Sequence, residues 1–407
     1  MSHMGYCAKV SAAAAAMVML AGTKAQATSQ NWDAGTSAYW TNNVNWSSDT
    51  TYPSAGDTAT FNTAPSGSRT NVNIAGLSRI KYITFDSYNV SSYIIGTLPA
   101  NSQTLVMEND SNYKLNANVA NSQIFSAALR MGTDRAGANY YFQNDSPSYT
   151  LTLAGDILTP SSGGTPGGKN ILVNGVGNVR FLGNILTNGY CAITLDNNNS
   201  GTLTLTGSNH ITRLNFDGAP SSVVDIGGGY LYLDALGGNT INATQNGVIN
   251  GTGKIRLSTN TGHNYADNYV APGKTLVINP SIVGETGFEM WSGTGTFVFN
   301  GINTFESNVI FGTSGTISVS KIGNKGSTTS NLGQGTMLRF TNGGRLLYTG
   351  SGETSDRMIQ MENSMILDHS GTGELVFSSA FNVLGNTKTL TLQGSSCLLY
   401  TSPSPRD

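Results

Sequence analysis

The residues able to do chemistry are few, and their spacing does not gather them. His210, His263 and His369 stand far apart, with no His-x-x-x-His pair to hold zinc, so polar loop or outward positions are expected for them. A polysaccharide lyase or glycosidase would need carboxylates converging with a base in one groove. The candidates are Asp217, Asp225 and Asp234, each following a short strand where aspartate serves local turn bonding, and Asp356 beside Arg357, expected as a loop ion pair or turn acid. Asp225-Ile-Gly-Gly-Gly-Tyr230 has the glycines of a calcium-binding roll but lacks its aspartate and occurs once. No Gly-x-Ser-x-Gly elbow and no Gly-x-x-x-x-Gly-Lys-Ser/Thr loop is present. The pattern assigns no catalytic, cofactor-binding or metal-ligating residue and implies no cofactor.

The elements that would position any such group are short strands. Alternating apolar residues bounded by Gly, Asn, Asp, Ser or Pro predict strands at 71–74, 80–85, 104–107, 150–153, 171–173, 178–181, 192–195, 202–205, 214–216, 223–226, 230–233, 254–257 and 275–278. A turn-plus-strand motif recurs as Gly175-Val-Gly-Asn-Val-Arg-Phe181, Gly251-Thr-Gly-Lys-Ile-Arg-Leu257, Gly293-Thr-Gly-Thr-Phe-Val-Phe299 and Gly371-Thr-Gly-Glu-Leu-Val-Phe377, with a shortened form at Gly201-Thr-Leu-Thr-Leu205. The longer copies start 76, 42 and 78 residues apart, roughly two, one and two steps of a unit near 40, as in stacked arrays. The glycines supply the positive φ of a bend, and Phe297 and Val298 should point to opposite faces. With coils of ~20 residues and strands about 4.8 Å apart, the body would extend on the order of 80 to 90 Å.

Composition agrees with a solenoid. Of 407 residues 50 are glycine and only 11% are charged, the mix of many turns between strands. A net charge of −2 provides no field for nucleic acid, while 38% apolar residues suffice for a core. Residues 1–27 read as a secretory signal peptide, with Lys9, an apolar run from Val10 to Ala21, and Ala25-Gln26-Ala27 as the cleavage site, so the mature chain is expected to begin at Thr28. The apolar run is too short to span a bilayer, which needs ~20 residues, and no other stretch is a transmembrane candidate. Three of the four tryptophans, Trp32, Trp40 and Trp46, fall within 28–65 and read as a cap over the open end of a strand stack, with a sugar-stacking face at Trp40 and Trp46 as the alternative. Pro160 to Gly168 reads as a surface excursion. Residues 397–407 break the pattern and read as a non-native tail, which leaves Cys191 as the lone cysteine of the mature chain, without an intrachain disulfide.

From residue 285 onward the motifs carry a family resemblance. Gly293 to Phe305, Gly315-Thr-Ile-Ser-Val-Ser-Lys-Ile-Gly323, Asn331-Leu-Gly-Gln-Gly-Thr-Met-Leu-Arg-Phe340, Gly343-Gly-Arg-Leu-Leu-Tyr-Thr-Gly350 and Glu353-Thr-Ser-Asp-Arg357 resemble, in order, the autotransporter-associated β-strand repeat, or passenger-associated transport repeat. The best match covers 285–396, within a passenger-like domain spanning 28–396, and Gly175 to Leu257 matches more loosely. The resemblance implies an all-β fold, a right-handed parallel β-helix, exported to the bacterial surface, and it carries over no catalytic residue. The expectation is thus a monomeric secreted or outer-surface β-solenoid acting as adhesin, scaffold or stalk, whose partners are extracellular glycans or cell surfaces. A C-terminal anchor or translocator beyond residue 394 is expected. Two alternatives are a polysaccharide-degrading, pectin-lyase-like enzyme on the same fold and a glycan-binding module.

Overall fold

A computed structural model describes residues 27–65, 69–133, 135–160, 168–187, 192–234, 239–258 and 265–395. The signal segment up to residue 26, the interior of the 160–168 excursion, His263, all three cysteines and the 397–407 tail lie outside the described residues. The chain winds as a right-handed parallel β-solenoid of about 13 turns, and every pairing between its strands is parallel.

Three faces build each coil. Face A runs from Ser29–Asn31 and Ala55–Phe61 through Ala138–Asn144, Ile193–Asn199 and Arg213–Phe216 to Asn382–Val383. Face B is a 14-stranded sheet from Asn71–Val72 to Leu390–Gln393. Face C includes Ala128–Met131, Ser208–Ile211, Tyr230–Leu233 and Lys254–Leu257. The long strand Thr104–Leu115 pairs with face C at one end and face A at the other.

Alternation drives the winding. On every face the odd or even set turns inward, so Phe297 and Phe299 are fully buried while Val298 is partly exposed. Burying such a ring stabilises by roughly 1.5 to 3 kcal/mol. Like residues stack coil on coil: Phe61 lies 5.2 Å from Phe85, and Phe311 lies 4.2 Å from Phe340 with the planes 9° apart. Side-chain amides extend the ladders outside, where Asn279 donates to Asn250 and Asn300 to Asn279, each at 2.7 Å.

Coil length departs from the sequence expectation. Face-B register advances 20 residues from Phe297 to Ile317 but 29 from Ile317 to Leu346 and 30 from Ile94 to Ile124. Fourteen stacked strands then give on the order of 60 Å, shorter than coils of ~20 residues would produce. The unit near 40 is not a coil either. Gly175 and Gly293 begin the corner between faces A and B, whereas Gly251 and Gly371 begin the corner between faces B and C. The motif marks a corner, whichever corner that is.

Its two glycines have different reasons. The first takes the positive φ at Gly251 (119°) and Gly293 (79°). The second is required by stacking: a Cβ on Gly253 would lie 2.1 Å from the Gly229 carbonyl oxygen of the preceding coil, and one on Gly373 would lie 1.8 Å from that of Ser351.

The first coil is closed by aromatics. Trp32, Trp40 and Trp46 are fully buried over Phe61, with Trp46 4.8 Å from Trp40 and 5.0 Å from Trp32 in edge-to-face contact. Trp40 Nε1 donates to the Pro53 carbonyl at 2.8 Å and Trp46 Nε1 to that of Trp40 at 2.7 Å. Asp57 accepts from the Ser54 and Thr28 backbone amides at 3.0 and 2.8 Å.

Candidate functional site

The three candidate aspartates do not converge, because each ends a strand of a different face. Asp225 ends a face-B strand and accepts the Gly227 amide at 2.8 Å, a local turn bond as expected. Asp234 follows the face-C strand Tyr230–Leu233, where it meets His210 Nδ1 at 3.1 Å and accepts from Ser258 Oγ at 2.9 Å. Asp217 follows the face-A strand Arg213–Phe216 and accepts from Thr244 Oγ1 at 3.1 Å.

Asp356 keeps the expected role of a loop acid, while Arg357 turns away from it. Asp356 faces solvent and takes the Lys325 amide at 2.8 Å, with Lys325 Nζ at 3.8 Å. Arg357 turns inward and is fully buried, donating to the carbonyls of Gly323, Asn324, Leu332, Gly333 and Gly335. Burial pulls its guanidinium down to about 10, against the field of Asp356 and Glu353. Glu353 accepts the Ile322 and Gly323 amides at 2.6 and 2.9 Å, and Ser355 Oγ donates to Gly323 at 2.7 Å. The segment Glu353-Thr-Ser-Asp-Arg357 is therefore a clamp on the loop between Ser320 and Gly335, whose backbone polar groups it satisfies.

The other candidates resolve as follows. His369 is fully buried; one ring nitrogen contacts the Gly373 carbonyl and the other accepts the Gly371 amide, closing a corner. Trp40 and Trp46 present no face to a sugar. The fourth tryptophan, Trp291, sits at a bulge between Tyr265–Val270 and Gly287–Ser292 and is 52% exposed. Among the described residues no three His, Cys, Asp or Glu groups gather as metal ligands, and no helix is long and apolar enough to cross a membrane.

The structure gives Asp217 a partner that the sequence did not single out. Asp196 lies outward on face A in the coil before, in register with Asn215, whose amide donates to it. Arg213 occupies the same outer surface, its Nε bonded to the Asn239 carbonyl at 2.8 Å. Burial pushes the Asp196 carboxyl above its ordinary range, opposed by the Asn215 bond, with the Asp217 charge adding to the rise. Desolvation likewise raises Asp217, against Thr244 and Arg213. Asp196 and Asp217 share the outer surface of face A with Arg213, residue types that can serve acid/base chemistry. The only sequence signal was an acid in the asparagine run Leu195-Asp-Asn-Asn-Asn-Ser200.

Face C carries a second organised surface. The His210 ring stacks on Tyr232 at 4.1 Å with the planes 3° apart, and Tyr230 lies 5.7 Å from Tyr232 at 21°. Lys254 Nζ stands 6.0 Å from the Tyr230 ring centre.

The fold and these surfaces define the class, a right-handed parallel β-solenoid with an aromatic N-terminal cap. Compared with known protein families, curated proteins and solved structures, the chain matches none. Its particular assignment therefore rests on its own residues.

Proposed function

We propose that the chain is the passenger-like body of an exported bacterial surface protein, acting as an adhesin, scaffold or stalk. The observation that supports this best is the stack of parallel strands between Ser29 and Gln393, closed at its N-terminal end, in which the conspicuous sequence motifs serve corners and a loop clamp. Such a body projects a surface away from its attachment without using its interior for chemistry. The test is expression with residues 1–27 in a Gram-negative host, followed by mass spectrometry of the product. A mature N-terminus at Thr28 in the envelope or medium is expected, whereas an uncut cytoplasmic chain would overturn the reading.

The pair Asp196 and Asp217 with Arg213 favours one second reading, a polysaccharide-degrading enzyme on the same fold. That reading requires reducing or unsaturated ends to be released from plant or algal glycans, and the release to be lost in Asp196→Asn and Asp217→Asn. Absence of release by the unaltered protein on such a panel would remove it.

A further inference from the structure

We propose that the outer surface of face C from Leu186 to Arg256 binds an acidic polysaccharide laid along the solenoid axis, with sugar rings against Tyr230 and carboxylates at Lys254 and Arg256. The inference deepens the surface-display reading by naming what the displayed body holds.

Register creates the site. Ile185 pairs with Asn209, placing Leu186 beside His210, and His210, Tyr232 and Arg256 follow one another in successive strands. A parallel row, Ser208, Tyr230 and Lys254, runs alongside. Both rows advance by the strand spacing of about 4.8 Å, close to the rise per sugar in an extended polysaccharide. A linear ligand laid along a row would meet these side chains one coil after another.

The rings are pre-set. Asp234 holds the imidazole of His210 and is itself held by Ser258, so His210 and Tyr232 stay parallel. Tyr230 is 37% exposed and Leu186 38%, so this outward surface offers apolar area to a ligand. The part of the Tyr230 ring left open beside Lys254 can meet the C–H face of a sugar and orders few side chains on binding.

Charge selects an acidic ligand. Arg79, Lys114, Arg135, Arg339 and Arg345 all pair with carboxylates of neighbouring coils. Lys254 and Arg256 are exposed, and no carboxylate among the described residues forms an ion pair with either. The acid of this surface, Asp234, is engaged by His210. Lys254 and Arg256 stand side by side on the strand that follows Tyr230 and Tyr232, a pair of cations that fits a carboxylate-bearing ligand. The net charge of −2 disfavours the denser polyanion of nucleic acid.

The test uses purified protein and immobilised polygalacturonate, with neutral galactan and single-stranded DNA as comparison probes. Saturable binding to polygalacturonate is expected, weakened at least about tenfold by Lys254→Glu, Arg256→Glu and Tyr230→Ala with the melting temperature unchanged. Arg180→Glu, an exposed cation on face B, should leave binding intact. The proposal is overturned by no binding to polygalacturonate, by equal binding to galactan, by preference for DNA, or by variants that fold and bind normally. None of these outcomes touches export, which the N-terminal mass tests separately.

Discussion

The first and the last described coils of the solenoid cover their apolar residues differently. At the N-terminal end Trp32, Trp40 and Trp46 are wholly buried over Phe61, with the indole N–H groups of Trp40 and Trp46 bonded to backbone carbonyls. At the other end Val383, Leu384 and Leu392 of the last described coil are 49%, 44% and 49% exposed. A parallel stack has no intrinsic stopping point, since each coil presents the apolar and hydrogen-bonding pattern that the next one needs. Closure must come from residues that break the repeat. The cap does so with three large rings, whereas the last described strands, Asn382–Val383 and Leu390–Gln393, are largely exposed.

The largest effect should separate the ends directly. Trp46→Ala is expected to cost about 3 to 5 kcal/mol by opening a cavity under the cap, while Leu392→Ala should change stability by no more than about 0.5 kcal/mol. Equal denaturation midpoints for the two variants would dissolve the contrast.

Glycines sharpen it next. Gly253→Ala meets the Gly229 carbonyl at 2.1 Å and should lose about 1 to 3 kcal/mol. Gly385, near the C-terminal end, has a φ of +80° but open space around it, so its alanine variant should lose only about 1 kcal/mol. A thermal scan that ranks them the other way would show that backbone conformation, not coil stacking, governs the corners.

Acid should loosen the C-terminal end by a smaller amount. Burial pushes Asp368 up, but the Ser370 hydroxyl, the Gln393 amide of the last coil and Arg345 together hold its carboxyl below the ordinary value. A depressed folded-state pKa means stability that is present above the unfolded value and lost as pH falls through the folded one, hence below about pH 4. Hydrogen exchange should show amides of 390–393 opening in that window before those of 58–61, and simultaneous opening would contradict it.

The smallest effect lies between the ends and has the opposite sign. Asp196 is raised, so its ionisation costs stability as pH rises above the unfolded value. Asp196→Asn should therefore be slightly stabilising at pH 7, with the gain vanishing as pH falls to the ordinary aspartate range near about 4. A variant less stable than the parent at pH 7 would show that the carboxylate is held by more than Asn215.

Much of the strand pattern was legible. Ile80–Phe85, Thr202–Leu205, Tyr230–Leu233, Lys254–Leu257 and Thr275–Ile278 have the bounds that their alternation predicted. Ala138–Asn144, Ser208–Ile211 and Asn246–Asn250 escaped it because their inward positions include Ala138, Asn144, Asn209 and Gly247. Asparagine can face inward there because neighbouring coils supply its partners, as when Asn144 Nδ2 donates to the Tyr149 and Asn178 carbonyls at 2.8 Å. The candidate sites were less legible. Asp196 lies 21 residues before Asp217, and only the winding brings them to one surface.

By itself the sequence determined the all-β character, the alternation that sets inside from outside, the turn glycines and the tryptophans set apart from the repeat. These follow from the local sterics of each residue and the period of two along a strand. Tertiary structure alone decided the coil length, which corner each Gly-x-Gly motif turns, and which outward side chains meet. Those depend on the register between strands 20 to 30 residues apart, and one residue of slip would send every side chain to the opposite face.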